Sequence, residues 1–169
     1  MIALPRLTAP LLLSTLLCAS TIASQASAQD CAAPALPDIS AVPILHLNPS
    51  DPSQSTVGRL KFRGAIHLQH YAPKFGAYSG LHISRDGQTL TAVGDGDWVQ
   101  ATLDYNAAGD LGGFEVNCVG VLKDELGEEF EWWEDRDAES LSFNGEEFLV
   151  GFESNLRVLA YKEIGGAAR

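Results

Sequence analysis

The sequence predicts an all-β protein, an antiparallel meander of propeller-type blades, on two observations. From residue 59 onward, short apolar segments alternate with turn signals, and no segment sustains apolar residues at helical spacing. A unit of three or four short strands also recurs, because the pattern of positions 79–98 returns at positions 139–156. Units of this size that repeat along a chain are typical of propeller blades, since one blade cannot bury both of its faces alone.

Residues 1–28 have the pattern of a secretory signal peptide. Arg6 precedes an apolar run over residues 11–18, and Ala26-Ser27-Ala28 supplies the small residues that signal peptidase accepts. We therefore expect cleavage before Gln29. The apolar run is shorter than the roughly 20 residues that a membrane-spanning helix needs, so we predict a periplasmic or secreted protein without membrane attachment after cleavage.

The charge balance is strongly acidic. Removal of residues 1–28 takes away Arg6 and no acidic residue, which leaves ten basic and 22 acidic residues and a net charge of −12. Such a charge repels nucleic acids and anionic membrane surfaces and attracts cations. We expect no nucleic-acid partner, and calcium suits this composition as a cofactor.

Two cysteines, Cys31 and Cys118, remain once the signal peptide is removed. An even pair in an exported chain predicts a disulfide, which here would join the mature N-terminus to a central strand. The alternative is two unpaired thiols, one in a flexible tail and one in the core.

Residues 29–58 differ in composition from the rest of the chain. They hold five of the eight prolines and show no lasting period, which predicts an extended leader with one short strand at 42–47. The domain proper is expected at 59–169, and its first strand is interrupted by a bulge around Gly64.

The rest of the domain consists of short strands joined by connections of hairpin length. Turn signals stand at Asp86-Gly87, at residues 94–97 and 106–110, and at Asn144-Gly145. The strands are predicted at 81–83, 90–93, 98–105, 111–122, 141–143, 148–152 and 156–161.

The repeat relates residues 79–98 to residues 139–156. Ser79-Gly80-Leu81 corresponds to Glu139-Ser140-Leu141, and Asp95-Gly96-Asp97-Trp98 corresponds to Glu153-Ser154-Asn155-Leu156. Propellers typically close with about four to eight blades. Two units therefore predict a partial propeller, either part of a longer protein or half of a ring completed by another chain. A small complete β-sandwich or barrel is the alternative.

Several motifs within residues 59–161 resemble a known family. They are Leu60-Lys61-Phe62-Arg63-Gly64, Phe75-Gly76-Ala77-Tyr78-Ser79-Gly80-Leu81, Gly94-Asp95-Gly96-Asp97-Trp98, Asp135-Arg136-Asp137-Ala138-Glu139-Ser140-Leu141 and Val150-Gly151-Phe152-Glu153. In these motifs the chain resembles the N-terminal half of the bacterial phytase-like family, which is described by an "esterase-like activity of phytase". The resemblance implies an exported β-propeller protein, longer than this chain, that hydrolyses phosphoesters or esters.

Carboxylates at the ends of the predicted strands are the first candidate site. On propeller strands, Asp137, Glu139 and Glu153 would face the central channel or its rim, where converging oxygens hold a hard cation such as calcium. Such an ion receives phosphate oxygens and neutralises the charge that develops during hydrolysis. Glu139 and Glu153 are the candidate catalytic residues. The alternative is that Asp137 and Glu153 only cap turns or accept backbone N–H groups.

Asp95 and Asp97 form a second acidic group, in a loop between two strands. They are further candidate calcium ligands, and Asp95 stands at the repeat position of Glu153. The alternative, which the residue types favour, is a plain Gly-Asp turn between strands.

Together with these carboxylates, the resemblance implies a calcium-assisted hydrolase of a small-molecule phosphoester or ester. The alternatives are a non-catalytic binding module and an inactive truncated fragment. Trp132 and Trp133 bear on this choice, since adjacent large aromatics in the acidic segment 123–139 either enter the core or form a contact surface.

Overall fold

The computed structural model describes residues 39–69 and 76–169 of the protein. Within these ranges the chain forms eleven β-strands and one four-residue helix, so the prediction of an all-β protein is confirmed. The elements are β1 (Ser40–Ile44), β2 (Thr56–Val57), β3 (Leu60–Lys61), β4 (Ala65–Gln69), β5 (Tyr78–Ile83), β6 (Thr89–Gly94), β7 (Asp97–Tyr105), β8 (Leu111–Val121), α1 (Trp133–Arg136), β9 (Ala138–Phe143), β10 (Phe148–Phe152) and β11 (Arg157–Tyr161).

The predicted signal peptide and Cys31 lie outside the described residues. In the part of the chain that the structure describes, no helix is both long and apolar enough to cross a membrane.

The first large sheet is a four-stranded antiparallel meander in the order β5-β6-β7-β8. Its turns form where Asp and Asn were expected to make them. The Asp86 carboxylate accepts hydrogen bonds from the Ser84 hydroxyl at 2.6 Å and the Gln88 N–H at 3.0 Å, and the Asn106 side-chain oxygen accepts two backbone N–H groups at 2.9 Å. Such local acceptors satisfy the backbone where the strand ladder stops.

The second large sheet has three antiparallel strands in the order β11-β10-β9. The predicted hairpin at Asn144-Gly145 is present: the Asn144 side-chain oxygen accepts the N–H groups of Glu146 and Glu147 at 2.9 Å, and Gly145 has a φ of +103°. Glycine adopts this conformation without the steric cost that other residues bear.

The two large sheets share the same antiparallel arrangement of strands. Strands β9 and β10 correspond to β5 and β6 in the register that the sequence repeat predicts. Strand β11 corresponds to β7 with a shift of two residues, because Gly151 pairs with Val158 where Val93 pairs with Trp98, so the predicted correspondence of Trp98 with Leu156 is wrong. The described residues form separate open sheets and no closed barrel. The prediction of an antiparallel meander of propeller-type sheets is therefore confirmed.

The core lies between the two large sheets. Val93, Trp98 and Cys118 of the first sheet pack in one buried cluster with residues of the second sheet and of the segment that follows it, namely Ala138, Val150, Phe152, Leu159, Tyr161, Ile164 and Ala168. The backbones approach closely at Gly80, where an added Cβ would lie 2.5 Å from the backbone N of Leu141. Only a residue without a side chain allows this separation of the sheets.

Trp98 is held on several sides. Its indole N–H donates to the carbonyl of Val121 at 3.1 Å, and its ring lies against two glycines, Gly120 and Gly165. An added Cβ at Gly120 would lie 2.8 Å from the ring, and one at Gly165 would lie 2.6 Å from it. The residues after β11 therefore cover the edge of the core.

The N-terminal strands form two small sheets, β1 with β4 and β2 with β3. The predicted leader strand at 42–47 occurs slightly earlier, at Ser40–Ile44, and pairs antiparallel with β4. The prediction of a first strand with a bulge around Gly64 is wrong, because β3 and β4 are separate strands in different sheets, and Gly64 between them has a φ of +101°. The Arg63 carbonyl beside it accepts the Leu111 N–H at 2.7 Å, which ties this segment to β8.

Candidate functional site

Three of the predicted carboxylates converge where the two large sheets meet. Asp95, Asp137 and Glu139 each place one oxygen within 4.8 Å of the others. We call them the carboxylate cluster. Asp95 lies between β6 and β7 of the first sheet, whereas Asp137 and Glu139 lie at the start of β9 in the second. The cluster therefore exists only when the two sheets are packed together.

Backbone pairing brings the two aspartates together. Asp95 and Asp137 form an isolated antiparallel bridge between the sheets. Asp95 occupies a tight turn in which the N–H of Gly96 donates to the carbonyl of Gly94. Gly96 has a φ of +92°, and an added Cβ there would lie 2.6 Å from Cδ of Arg136. Glycine at this position lets the segment before Asp137 approach the turn.

A β-bulge directs Glu139 away from regular pairing. In β9, Ser140 pairs with Gly151 and Ala138 pairs with Phe152, so Glu139 is the extra residue of the strand. The same irregularity occurs in β5, where Ser79 is the extra residue between Tyr78 and Gly80. Bulges re-aim side chains and are common beside functional sites. The bulge therefore accounts for the orientation of the Glu139 side chain toward the cluster.

Asp137 is the buried member of the cluster, with 9 % of its surface exposed. Its Oδ2 accepts a hydrogen bond from the Ser154 hydroxyl at 2.9 Å, and its carbonyl accepts the Glu153 N–H at 3.0 Å. Asp95 and Glu139 are exposed. One carboxylate is therefore fixed by the turn after β10, while the other two remain open to solvent.

The segment that carries Asp137 is also held from the side of β11. The Asp135 carboxylate accepts from the Asn155 amide at 2.7 Å and faces the Arg157 guanidinium at 3.6 Å. Arg157 in turn lies over the rings of Phe130 and Phe152, 4.9 Å from each centroid. Such contacts limit side-chain movement near the site.

The cluster concentrates negative charge. The salt bridges of the described residues join Arg63 to Asp110, Arg157 to Asp135 and Arg169 to Glu147, and none involves Asp95, Asp137 or Glu139. Like charges at this distance repel, and a divalent cation relieves that repulsion. Three carboxylates form the hard oxygen donor set that calcium prefers, so the residues present fit this ion.

The remaining predicted site residues lie near the cluster without joining it. Glu153 is exposed, in the turn after β10, and is connected to Asp137 through the backbone. Asp97 begins β7 and acts on Tyr78: burial, and then the Asp97 charge, raise the pKa of the Tyr78 hydroxyl to about 12. Of the five predicted metal ligands, the structure brings three together.

Two further residues that could carry chemistry, a histidine and a cysteine, lie within the packed part of the fold. His82 packs its ring against Phe143 at 5.2 Å and Phe148 at 5.7 Å between the sheets, which explains it as a packing residue. Cys118 is buried in the core. Its disulfide with Cys31 stays a prediction, because Cys31 lies outside the described residues.

The two adjacent tryptophans are both on the surface. Trp132 is 62 % exposed and Trp133 is 58 % exposed, so neither ring enters the core. Of the two arrangements expected from the sequence, they adopt the one that presents a contact surface.

Sequence reasoning missed the residues that support the site. Ser154, Asp135, Asn155 and Arg157 hold the segment before β9, yet none was a candidate site residue, although Asp135 belongs to one of the family motifs. The one available signal was positional, since Ser154 stands at the repeat position of Gly96.

Comparison with known proteins supports the resemblance. The family model described as "Phytase-like: Esterase-like activity of phytase" matches residues 73–169, which include every residue of the carboxylate cluster. No curated protein and no solved structure matches the chain. The match covers more than half of the sequence, and the chain therefore belongs to the phytase-like family.

Proposed function

We propose that this protein is an exported, calcium-assisted hydrolase of small phosphoesters or esters. The observation that supports it is the convergence of Asp95, Asp137 and Glu139 within 4.8 Å in a chain of the phytase-like family. Export rests on the signal-peptide pattern of residues 1–28.

In this proposal, different residues bind the ion and transfer the proton. Asp137, fixed by Ser154, is the anchoring ligand, and the exposed Asp95 and Glu139 complete the donor set from the two sides of the sheet junction. A calcium ion held there supplies the positive charge that a phosphate or carbonyl oxygen needs as negative charge develops. Glu153, exposed beside Asp137, is the proposed general base that takes a proton from the attacking water.

Thermal unfolding with and without calcium tests the metal site. An ion that binds only the native state stabilises it by mass action, by about 2.7 kcal/mol at a concentration of 100 times Kd. We expect millimolar calcium to raise the Tm of the native chain, and chelator to reverse the shift. Asp137→Asn and Glu139→Gln should abolish the rise, while Glu146→Gln, an exposed carboxylate in the β9–β10 turn, should retain it. An unchanged Tm in the native chain would contradict the metal site.

Turnover tests the chemistry. The native chain should hydrolyse p-nitrophenyl phosphate or p-nitrophenyl acetate in the presence of calcium. Glu139→Gln should lower the rate together with calcium affinity, whereas Glu153→Gln should lower kcat and leave the calcium-induced rise in Tm intact, because Glu153 lies outside the cluster. Calcium binding without turnover of either ester would contradict the hydrolase.

The exposed tryptophans favour a second candidate, a binding module. Trp132 and Trp133 present two large aromatic surfaces in an acidic segment, and aromatic rings are the usual anchors of recognition surfaces. If this is their role, Trp132→Ala with Trp133→Ala should abolish ligand binding measured by calorimetry, and the native chain should hydrolyse neither p-nitrophenyl ester.

A further inference from the structure

The hairpin between β9 and β10 carries an asparagine followed by a glycine, Asn144-Gly145, on the surface of the protein. Both residues are exposed, and an added Cβ at Gly145 would meet nothing within 4 Å. The backbone nitrogen after an asparagine can attack the side-chain carbonyl carbon, because the atoms between them close into a small ring. Glycine leaves that nitrogen unhindered, since it has no side chain.

The hydrogen bonds of Asn144 favour such an attack. Its Oδ1 accepts the N–H groups of Glu146 and Glu147, each at 2.9 Å. Attack at Cγ moves negative charge onto this oxygen, and backbone N–H groups aimed at it stabilise that charge as the donors of an oxyanion hole do. In the part of the chain that the structure describes, the Asn144 side-chain amide and the Gly145 N–H donate to no other group. The leaving group and the nucleophile are therefore both free to react.

Asn106 provides a comparison within the same chain. It is also exposed, and its Oδ1 also accepts two backbone N–H groups at 2.9 Å, those of Ala108 and Asp110. The residue after Asn106 is Ala107, whose methyl group hinders the approach of its own nitrogen to the asparagine. The two asparagines therefore share a polarised carbonyl and differ in the residue that supplies the nucleophile. Of the five asparagines in the sequence, Asn144 is the one that glycine follows.

The equivalent hairpin of the first sheet carries an aspartate instead, in Asp86-Gly87. The Asp86 carboxylate accepts hydrogen bonds from the Ser84 hydroxyl and then from the Gln88 N–H, and both hold the pKa of this carboxyl below its usual value. An ionised carboxylate is a poor electrophile, so Asp86 resists the attack that threatens an amide. This hairpin also shows that an aspartate can occupy such a turn.

We propose that Asn144 is a site of spontaneous deamidation. The Gly145 nitrogen forms a bond to Cγ of Asn144 and loses its proton. The bond from Cγ to the side-chain nitrogen breaks, and that nitrogen leaves with the proton as ammonia. Water then opens the cyclic imide at one of its two carbonyl carbons. Opening at Cγ gives aspartate, whereas opening at the main-chain carbonyl gives isoaspartate, in which the backbone runs through Cγ. The sum is addition of one water and release of one ammonia.

The two products should affect the hairpin differently. Aspartate adds a negative charge beside Glu146 and Glu147 but keeps an acceptor oxygen at the turn. Isoaspartate lengthens the backbone of the turn by one methylene, which disturbs the pairing of Phe143 with Phe148. These rings lie 4.9 Å apart and both contact His82 between the sheets. We therefore expect a lower Tm for the isoaspartate form and a nearly native Tm for Asn144→Asp.

Incubation of the folded, purified full chain at mildly alkaline pH tests the proposal. Ion-exchange chromatography should show loss of the starting species to more acidic ones, and peptide mass spectrometry should locate the change at Asn144, with Asn106 intact. Asn144→Gln should prevent the loss, because the longer side chain forms its ring far more slowly. Ala107→Gly should make Asn106 a second site, since it supplies the unhindered nitrogen to a carbonyl that is already polarised.

Three results would overturn the proposal. The first is a folded chain that keeps Asn144 intact over a period in which the chain unfolded in urea deamidates there, since the turn would then protect the residue. The second is a native chain in which Asn106 deamidates as fast as Asn144. The third is an Ala107→Gly variant in which Asn106 stays intact, because the glycine would then not determine the reactivity. Circular dichroism verifies the fold of each variant.

Discussion

The close packing of the two large sheets predicts a large effect of one methyl group at Gly80. In Gly80→Ala, the new Cβ would lie 2.5 Å from the Leu141 nitrogen, 2.7 Å from the Ser140 carbonyl carbon and 2.9 Å from Cβ of Leu141. Ordinary carbon contacts lie at about 3.5–4.0 Å. Backbone atoms cannot rotate aside, so the sheets must separate by about 1 Å to restore such contacts.

The expected loss follows from two opposing terms. Overpacking of a tight core costs about 1–3 kcal/mol, and alanine in place of glycine regains about 0.4–1 kcal/mol by restricting the unfolded chain. We expect a net decrease in the free energy of unfolding of about 1–2 kcal/mol, and a decrease in Tm of about 3–8 °C in a domain of this size. Urea unfolding followed by tryptophan fluorescence measures it, because Trp98 lies in the interface that opens.

Gly151→Ala is the matched control. Gly151 also lies in a strand of a large sheet, but the nearest atom to an added Cβ there is the Ser140 hydroxyl oxygen, and the next is Cβ of Ser140 at 3.8 Å. A hydroxyl can rotate away, so stability should change by less than about 0.5 kcal/mol. Two results would refute this reasoning: Gly80→Ala as stable as the native chain, or Gly151→Ala destabilised as much as Gly80→Ala. Either would show that close packing at Gly80 does not determine the stability of the variant.

Three further predictions concern the site and the backbone. Ser154→Ala should cost about 1–2 kcal/mol, because it removes a hydrogen bond from the buried Asp137, and should weaken calcium binding in thermal melts; full retention of both would contradict its positioning role. Leu156→Gly should raise the Tm slightly, because relief of the cost of a φ of +50°, about 1–2 kcal/mol, exceeds the loss of about 0.4–1 kcal/mol that a more flexible unfolded chain brings, and an unchanged or lower Tm would refute this. Burial, and then the Asp97 charge, raise the pKa of the Tyr78 hydroxyl from 10.0 to about 12, so the unfolded chain loses this proton at a lower pH than the folded chain. The free energy of unfolding should therefore fall as pH rises from 10.0 to about 12. Urea titrations should show a shallower decline for Tyr78→Phe over this range.

The hairpins were predictable because their signals are local. Asp86-Gly87 and Asn144-Gly145 carry the turn chemistry in adjacent residues, and the observed strands begin and end around them. The repeat was equally visible, since its spacing depends only on turn positions and apolar residues.

The cluster was only partly predictable, because it depends on contacts between the sheets. The sequence identified Asp95, Asp137 and Glu139 as candidates together with Asp97 and Glu153, but could not separate the two sets. The separation comes from the bridge between Asp95 and Asp137 and from the bulge at Glu139. Neither has a signature in the residues themselves, since both arise when two distant segments pack.

Placement of the cluster at the sheet junction couples any ion it holds to the packing of the fold. Asp95 belongs to the first sheet and the other two carboxylates belong to the second, so opening the junction separates the donors. Gly80 lies at the same junction, against the strand that carries Glu139. If calcium binds there, Gly80→Ala should weaken its affinity although Gly80 offers no ligand, and the calcium-induced rise in Tm should be smaller in this variant than in Gly151→Ala. Equal rises in both variants would show that the donors hold the ion without the packed junction.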